Sequence, residues 1–263
     1  MHYNSASPFT LSPLQQRAGM LSPTGRSKTL DASADGYVRG EAVGALILQV
    51  ADGGGARGSA LLAATVNQDG RSSASLMAPN GPAQYQLMRA ALLEANVLPA
   101  ELVGVQLHGT GTALGDPIEV GAVSSVLLAR SVQRPRALEL QANKPATGHG
   151  EPAAGLTGLL GMCLLLSHGA AVPVLHLRSV NPHVTDVLRT GGTGSANGSR
   201  ILRGLAPAPS TPGTPTVMAN AFAWHGTNAN VVTAIDDGAV LPVSTPHRSL
   251  QHLRRFSVVA RVR

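Results

Sequence analysis

The chain has 263 residues, 43% hydrophobic and 13% charged, a balance that excludes an intrinsically disordered polymer and allows one large domain or two small ones. Aromatic residues make up only 3%, which argues against a base-stacking nucleic-acid surface, and a single cysteine, Cys163, excludes a disulfide framework or a zinc set within one chain and fits a reducing compartment. The net charge of +6 comes from scattered arginines and from a C-terminal cluster, Arg248, Arg254, Arg255, Arg261 and Arg263 with His247 and His252, which reads as a solvated tail.

Residues 1–30 are irregular, rich in Ser and Pro, and carry no secretory signal. Val43 to Val50 is a continuous apolar run of strand length and predicts a buried strand. Asp52 to Gly58 is a glycine-rich turn, after which Leu61 to Val66 reads as the return strand of a hairpin-like unit. Pro82 to Val97 places Met88, Ala91, Leu92 and Val97 at helical spacing. Val103 to Leu107 is a short strand that delivers His108 at its C-terminal end.

Asp116-Pro117-Ile118-Glu119 predicts a helix start, with Asp116 as cap and Glu119 completing a capping box, and the helix runs to about Arg130. Leu138 to Ala142 is another short strand, ending at the loop Asn143 to His149. Glu151 to Ser167 predicts a buried apolar helix; its run Leu156 to Leu166 is too short to span a bilayer. Thr190 to Gly198 and Leu205 to Thr216 read as loops. Val217 to Phe222 and Asn230 to Ile235 are closing strands. Strands alternate with helices and the candidate chemistry follows strand ends, so the fold class is layered α/β.

Two histidines stand out. His108 heads His-Gly-Thr-Gly-Thr, where Gly109 and Gly111 allow close approach of backbone to a ligand and Thr110 and Thr112 offer hydroxyls. His149 lies between Gly148 and Gly150 at the start of the apolar helix, a position that disfavours a protonated ring. A neutral imidazole can hydrogen-bond a reacting carbonyl. A structural role remains open for each histidine. Lys144 is either an electrostatic neighbour of the pair or a solvated loop lysine, and Glu151 either a site carboxylate or a first-turn helix residue. The pair's spacing matches no short metal-ligand pattern. Phe222 to Asn230, with the only tryptophan, Trp224, is a turn or a source of backbone N–H donors.

These residues fall within five ordered blocks that resemble the β-ketoacyl synthase family in its polyketide-synthase form. They are Ser22 to Glu41, Val66 to Gln84, His108 to Glu119, Asn143 to Gly155 and Gly226 to Val232, with Asn181-Pro182-His183 a weaker match. The resemblance covers about residues 17–235, leaving an irregular segment over 1–16 and a basic tail over 236–263. It implies a thiolase-like fold layered α-β-α-β-α, here its C-terminal half plus the end of the N-terminal half. It also implies decarboxylative Claisen condensation of acyl and malonyl-type thioesters, in polyketide or fatty acid biosynthesis. The resemblance further implies no bound cofactor, with substrates carried on the phosphopantetheine of an acyl carrier protein.

By this resemblance His108 and His149 hold the developing oxyanion, Lys144 is the site lysine and Glu151 its partner carboxylate. Thr110 and Thr112 hold the pantetheine arm. Trp224, beside Phe222, stands at the acyl gate, its N–H an oxyanion donor. The partners implied are an acyl carrier protein and the remainder of a multidomain synthase, in the cytoplasm, with neither nucleic acid nor membrane. The family is usually homodimeric, with the dimer strand expected to be missing here.

The sequence departs from the family pattern in two ways. The family's nucleophilic cysteine sits upstream of the first matched block, whereas Cys163 lies within the apolar helix, where burial raises a thiol's pKa. Ala223, Trp224, His225 and Asn230 replace the usual Gly-Phe-Gly and His. The expectation is therefore a ketosynthase portion that does not condense by itself. The alternatives are a non-catalytic acyl- or carrier-protein-binding module and a decarboxylase-only remnant.

Overall fold

The computed structural model describes residues 15–50, 58–70, 78–168, 170–171, 173–190, 198–201, 206–207, 215–236 and 256–259. The glycine-rich turn expected after Val50 and most of both Gly- and Pro-rich loops lie outside them, as does most of the basic tail. Among the described residues one large sheet takes strands β1 (Ile47–Val50), β2 (Gly58–Gln68), β3 (Leu102–Gln106), β4 (Leu138–Gln141), β6 (Ser199–Ile201), β8 (Thr216–Phe222), β9 (Thr227–Asp236) and β10 (Phe256–Val259). Their order is β1-β10-β2-β9-β8-β3-β4-β6. Two short strands, β5 (Ala170–Ala171) and β7 (Ala206–Pro207), pair separately, where the second Gly- and Pro-rich loop was expected to be irregular throughout.

The sheet is mixed. β3 runs parallel to β8 and β4, and β4 runs parallel to β6. β8 turns tightly into β9, which pairs antiparallel with β2 along nearly its whole length. Consequently β3, β4 and β8 all end at the same edge, where an α/β sheet offers its binding crevice.

Helices cover both faces. On one side lie α1 (Gly81–Ala95), α2 (Gly115–Leu127) and α5 (Pro182–Thr190). There Met88, Ala91, Leu92, Val120, Val123, Leu127 and Val184 bury against Val105, Leu140, Met218 and Val232. On the other side α4 (Ala154–His168) packs Met162, Leu165 and Leu166 against Val217 and Ala219. The strand side chains alternate between these layers, as period-two geometry requires. Helix α3 (Lys144–Thr147) is a single turn at the end of β4.

The ends of α1 show why the chain folds this way locally. Asn80 caps it, its Oδ1 accepting the Ala83 N–H at 3.1 Å, and Asn96 ends it in the left-handed conformation. Helix α5 was not foreseen, although Asn181 accepts the His183 N–H at 2.9 Å and Pro182 opens the helix, a readable start signal.

Four expectations are corrected. The Val43–Val50 run is a strand only from Ile47, and Val43 and Ile47 are exposed rather than buried. β1 and β2 do not form a hairpin, because β10 from the tail lies between them, antiparallel to both. Asp116 and Glu119 do not cap their own helix. α2 begins at Gly115, two residues before the expected first helical position Pro117, and Thr112 Oγ1 accepts the Gly115 N–H at 3.1 Å. Both carboxylates reach instead for neighbouring loops. The helix also ends at Leu127, short of Arg130.

Candidate active site

The ends of the three parallel strands converge. β3 leads directly into His108, β4 leads through α3 to His149, and β8 ends at Phe222. The rings of His108 and His149 stand edge to face with centroids 5.3 Å apart. Both rings border a cavity of about 150 Å³, along with Thr110, Thr112, Phe222 and Trp224.

The loop around His149 is fastened to residues 38–40. His149 donates its N–H to the Val38 carbonyl at 2.7 Å, and Gly40 donates to the His149 carbonyl at 2.9 Å. A side chain at residue 40 is impossible here, because a Cβ would lie 2.2 Å from the Thr147 carbonyl oxygen. Tyr37, next to this pairing, lays its ring edge to face against His149 at 4.9 Å.

Backbone donors settle the tautomer of both histidines. Phe222 donates its N–H to His108 Nδ1 at 3.3 Å, and Glu151 donates its N–H to His149 Nδ1 at 3.0 Å. A ring nitrogen that accepts carries no proton, so a neutral ring bears its hydrogen on Nε2. Both rings are held neutral. Burial, then the Lys144 ammonium and His149, pushes His108 well below the ordinary imidazole value. Burial and Lys144 push His149 down to about 3. The site therefore holds two neutral Nε2–H donors on adjacent rings.

Lys144 is buried, and its Nζ donates to the His108 carbonyl. Burial lowers it to about 8, with Glu119 and Asp116 opposing the shift. Glu119 grips the same peptide unit from its other side. Its Oε1 accepts the His108 N–H at 2.7 Å and its Oε2 accepts the Gly109 N–H at 2.9 Å. Asp116 accepts the Leu30 N–H at 2.7 Å and the Gly111 N–H at 3.1 Å, while burial pushes it up to about 7. Burial also raises Glu119. The two carboxylates expected to cap α2 thus fix the His-Gly-Thr-Gly loop.

Glu151 is not beside Lys144. Its carboxylate pairs with Arg39 at 3.0 Å and accepts from Gln15 Nε2 at 3.0 Å, and its contribution to the histidines is its backbone N–H. The carboxylates acting on Lys144 are Glu119 and Asp116. Linear proximity to His149 pointed to Glu151, whereas the fold brings α2 to the lysine. Thr110 and Thr112 do line the cavity, their hydroxyls 3.2 Å from each other. Trp224 lines it too, 36% exposed, with its ring against His225 at 5.2 Å. The hairpin amide that reaches a histidine belongs to Phe222, not Trp224. Cys163 is buried within α4, its thiol raised by burial, and is not among the cavity-lining residues.

Gln84, Asp69 and Tyr37 also line the cavity and were not singled out. Each falls inside or beside a matched block, which was the available signal.

Two family models match. "Beta-ketoacyl synthase, N-terminal domain" covers residues 5–52, and "Beta-ketoacyl synthase, C-terminal domain" covers residues 59–178. A phenolphthiocerol/phthiocerol polyketide synthase from Mycobacterium tuberculosis is 38% identical over 222 residues, 82% of this chain and 11% of that protein. Erythronolide synthase EryA2 of Saccharopolyspora erythraea is 35% identical over 229 residues, 86% of this chain and 6% of that protein. Among solved structures, an oxazolomycin ketosynthase domain from Streptomyces albus matches with a TM-score of 0.71 and 27% identity, over 92% of this chain and 41% of that one. The ketosynthase from module 6 of the bacillaene synthase of Bacillus subtilis matches with a TM-score of 0.68 and 25% identity, over 88% and 40%. The chain thus spans 6–11% of these curated relatives and about two fifths of these solved ketosynthases. With the N-terminal model matched over residues 5–52 and the C-terminal model over residues 59–178, in order, the chain belongs to the β-ketoacyl synthase family, in its polyketide-synthase form.

Proposed function

We propose that the cavity binds a malonyl-type thioester carried on the pantetheine arm of an acyl carrier protein, and that His108 and His149 stabilise the enolate formed when it loses CO₂. The observation that carries this is the pair of neutral Nε2–H donors. As the carbon–carbon bond to the carboxylate breaks, its electron pair moves into the thioester and charge gathers on the thioester oxygen. Two preorganised donors on neutral rings suit that charge, and removing one such donor costs about 10²–10³ in rate. Protonation of the enolate carbon by water then yields the acetyl thioester. Thr110 and Thr112 hold the arm, and Trp224 flanks the acyl path.

Carbon–carbon bond formation needs an acyl group on a thiolate. Cys163, buried in α4 and absent from the cavity lining, does not supply one. In this reading the chain works beside further ketosynthase sequence within a multidomain synthase. The test is incubation of the purified chain with malonyl-pantetheine or malonyl carrier protein, following CO₂ and acetyl thioester. Turnover lowered at least a hundredfold by His149→Ala supports the reading. Tight pantetheine binding without CO₂ release supports a binding module instead, consistent with threonines at the cavity and a cysteine away from it. Condensation by the isolated chain contradicts both.

A further inference from the structure

Asn220 of β8 and Asn230 of β9 are directly opposite each other in the hairpin register. Asn230 Nδ2 donates to Asn220 Oδ1 at 2.6 Å, and Asn220 Nδ2 donates to Glu119 Oε1 at 3.0 Å. Glu119 in turn holds the N–H groups of His108 and Gly109. Asn230, Asn220 and Glu119 are 1%, 4% and 3% exposed, so this row of polar groups is dry.

The row has a direction. Each amide donates toward the carboxylate, and Asn230 Oδ1 has no hydrogen-bond partner among the described residues. A buried amide pair that served only packing would be replaced by two apolar side chains at little cost, whereas an unpaired buried oxygen costs free energy. This pair ends on the carboxylate that seats the peptide of His108. Donation from Asn230 polarises the Asn220 amide and strengthens its bond to Glu119.

We infer that Asn220 and Asn230 are positioning residues, a two-amide relay that keeps Glu119 seated on the His108–Gly109 peptide and thereby fixes where His108 presents its ring. Their value to catalysis rests on the function proposed above for His108, but the relay itself is testable without substrate.

The chain contains two lysines, Lys28 and Lys144. Labelling the lysine ε-carbon therefore gives two side-chain NMR signals, assigned with Lys28→Arg. The groups acting on Lys144 are Glu119 and Asp116 of α2, and its ammonium acts on both His108 and His149. Burial lowers wild-type Lys144 to about 8. Asn220→Leu removes the donor that favours the Glu119 carboxylate, so Lys144 loses part of the larger of its two opposing charges and titrates about one unit lower. Asn230→Leu moves it the same way by less. Asn220→Ser keeps an O–H donor and recovers the wild-type titration; if Asn220→Leu fails to fold, Asn220→Ser against Asn220→Ala carries the comparison. Met218→Ala, on the same strand and two residues away, lowers stability and leaves Lys144 where it was.

A Lys144 that titrates at the wild-type pH in both Asn220→Leu and Asn220→Ala overturns the relay, as does an equal shift in Met218→Ala. None of these results depends on malonyl turnover, so loss of the proposed function and loss of the relay are separately visible.

Discussion

The backbone N–H of Glu151 donates to His149 Nδ1 at 3.0 Å from a residue whose φ is +45°. A non-glycine residue in that region costs roughly 1 kcal/mol. The cost persists because residues 38–40 and the Arg39–Glu151 pair hold the loop on both sides. Glu151→Ala and Glu151→Gly both remove the ion pair, but glycine adopts positive φ freely. Glu151→Gly is therefore expected to be more stable than Glu151→Ala by about 1 kcal/mol in chemical denaturation. Equal stabilities would show that the loop relaxes once Arg39 is unpaired.

His149 sits well below its ordinary value, so between pH 6.5 and about 3 the unfolded chain holds a proton there that the folded chain does not. Stability from this residue is complete above pH 6.5 and is lost as pH falls toward 3, by up to about 1.4 kcal/mol per unit. Asp116, raised to about 7, has the opposite slope from pH 3.8 to 7, so a wild-type curve alone conceals the effect. The informative quantity is the difference between His149→Gln and wild type. It is expected to move in favour of the variant at each step from pH 6.5 to 4. A difference that does not change with pH would mean that folded His149 takes up the proton normally.

Asp31 joins the segment before the site to the loop before α5. Its Oδ2 accepts the N–H groups of Arg178 and Ser179 at 2.7 and 2.9 Å, and its Oδ1 accepts from the Ser33 N–H and hydroxyl. Burial raises a carboxyl pKa, but these bonds outweigh it and hold Asp31 well below the ordinary carboxylate range. Asp31→Asn is expected to cost about 2–3 kcal/mol at neutral pH. The contribution of the charge is present above pH 3.8 and lost as pH falls below it, so the gap to wild type should shrink in acid. Denaturation at pH 7 and pH 3 tests both statements.

Gly40→Ala would drive a Cβ into the Thr147 carbonyl, so the pairing of residues 38–40 with His149 must open. A loss of about 2–4 kcal/mol is expected. Because His149 moves with that pairing, its ring ¹⁵N shifts should change as well. A fall in melting temperature without such a change would separate the strand pairing from the imidazole.

The histidine pair, Lys144 and the strands that deliver them were legible because each lies in a short segment with its own punctuation. Apolar β3 precedes His108, β4 precedes Asn143, and α1 follows its cap Asn80 and opens with Gly81-Pro82. The carboxylate partner was not legible. Glu151 is close to His149 in the chain, yet Glu119 and Asp116 are the carboxylates that act on Lys144, because α2 starts two residues early and both side chains bind the His-Gly-Thr-Gly loop. Nor does any local pattern in Phe256–Val259 reveal that β10 inserts between β1 and β2, since pairing between distant segments is decided by the whole sheet. Asn220 reads simply as a strand residue and Asn230 as a replacement of the family's histidine; that they meet face to face follows from the hairpin register.

Trp224 is the chain's only tryptophan, and it lines the cavity while keeping 36% of its surface exposed. Its emission therefore reports on one place in the molecule. A thioester seated between Trp224 and the two imidazoles would displace water from the indole and shift its fluorescence to the blue, so occupancy of this cavity can be followed optically in the unlabelled protein.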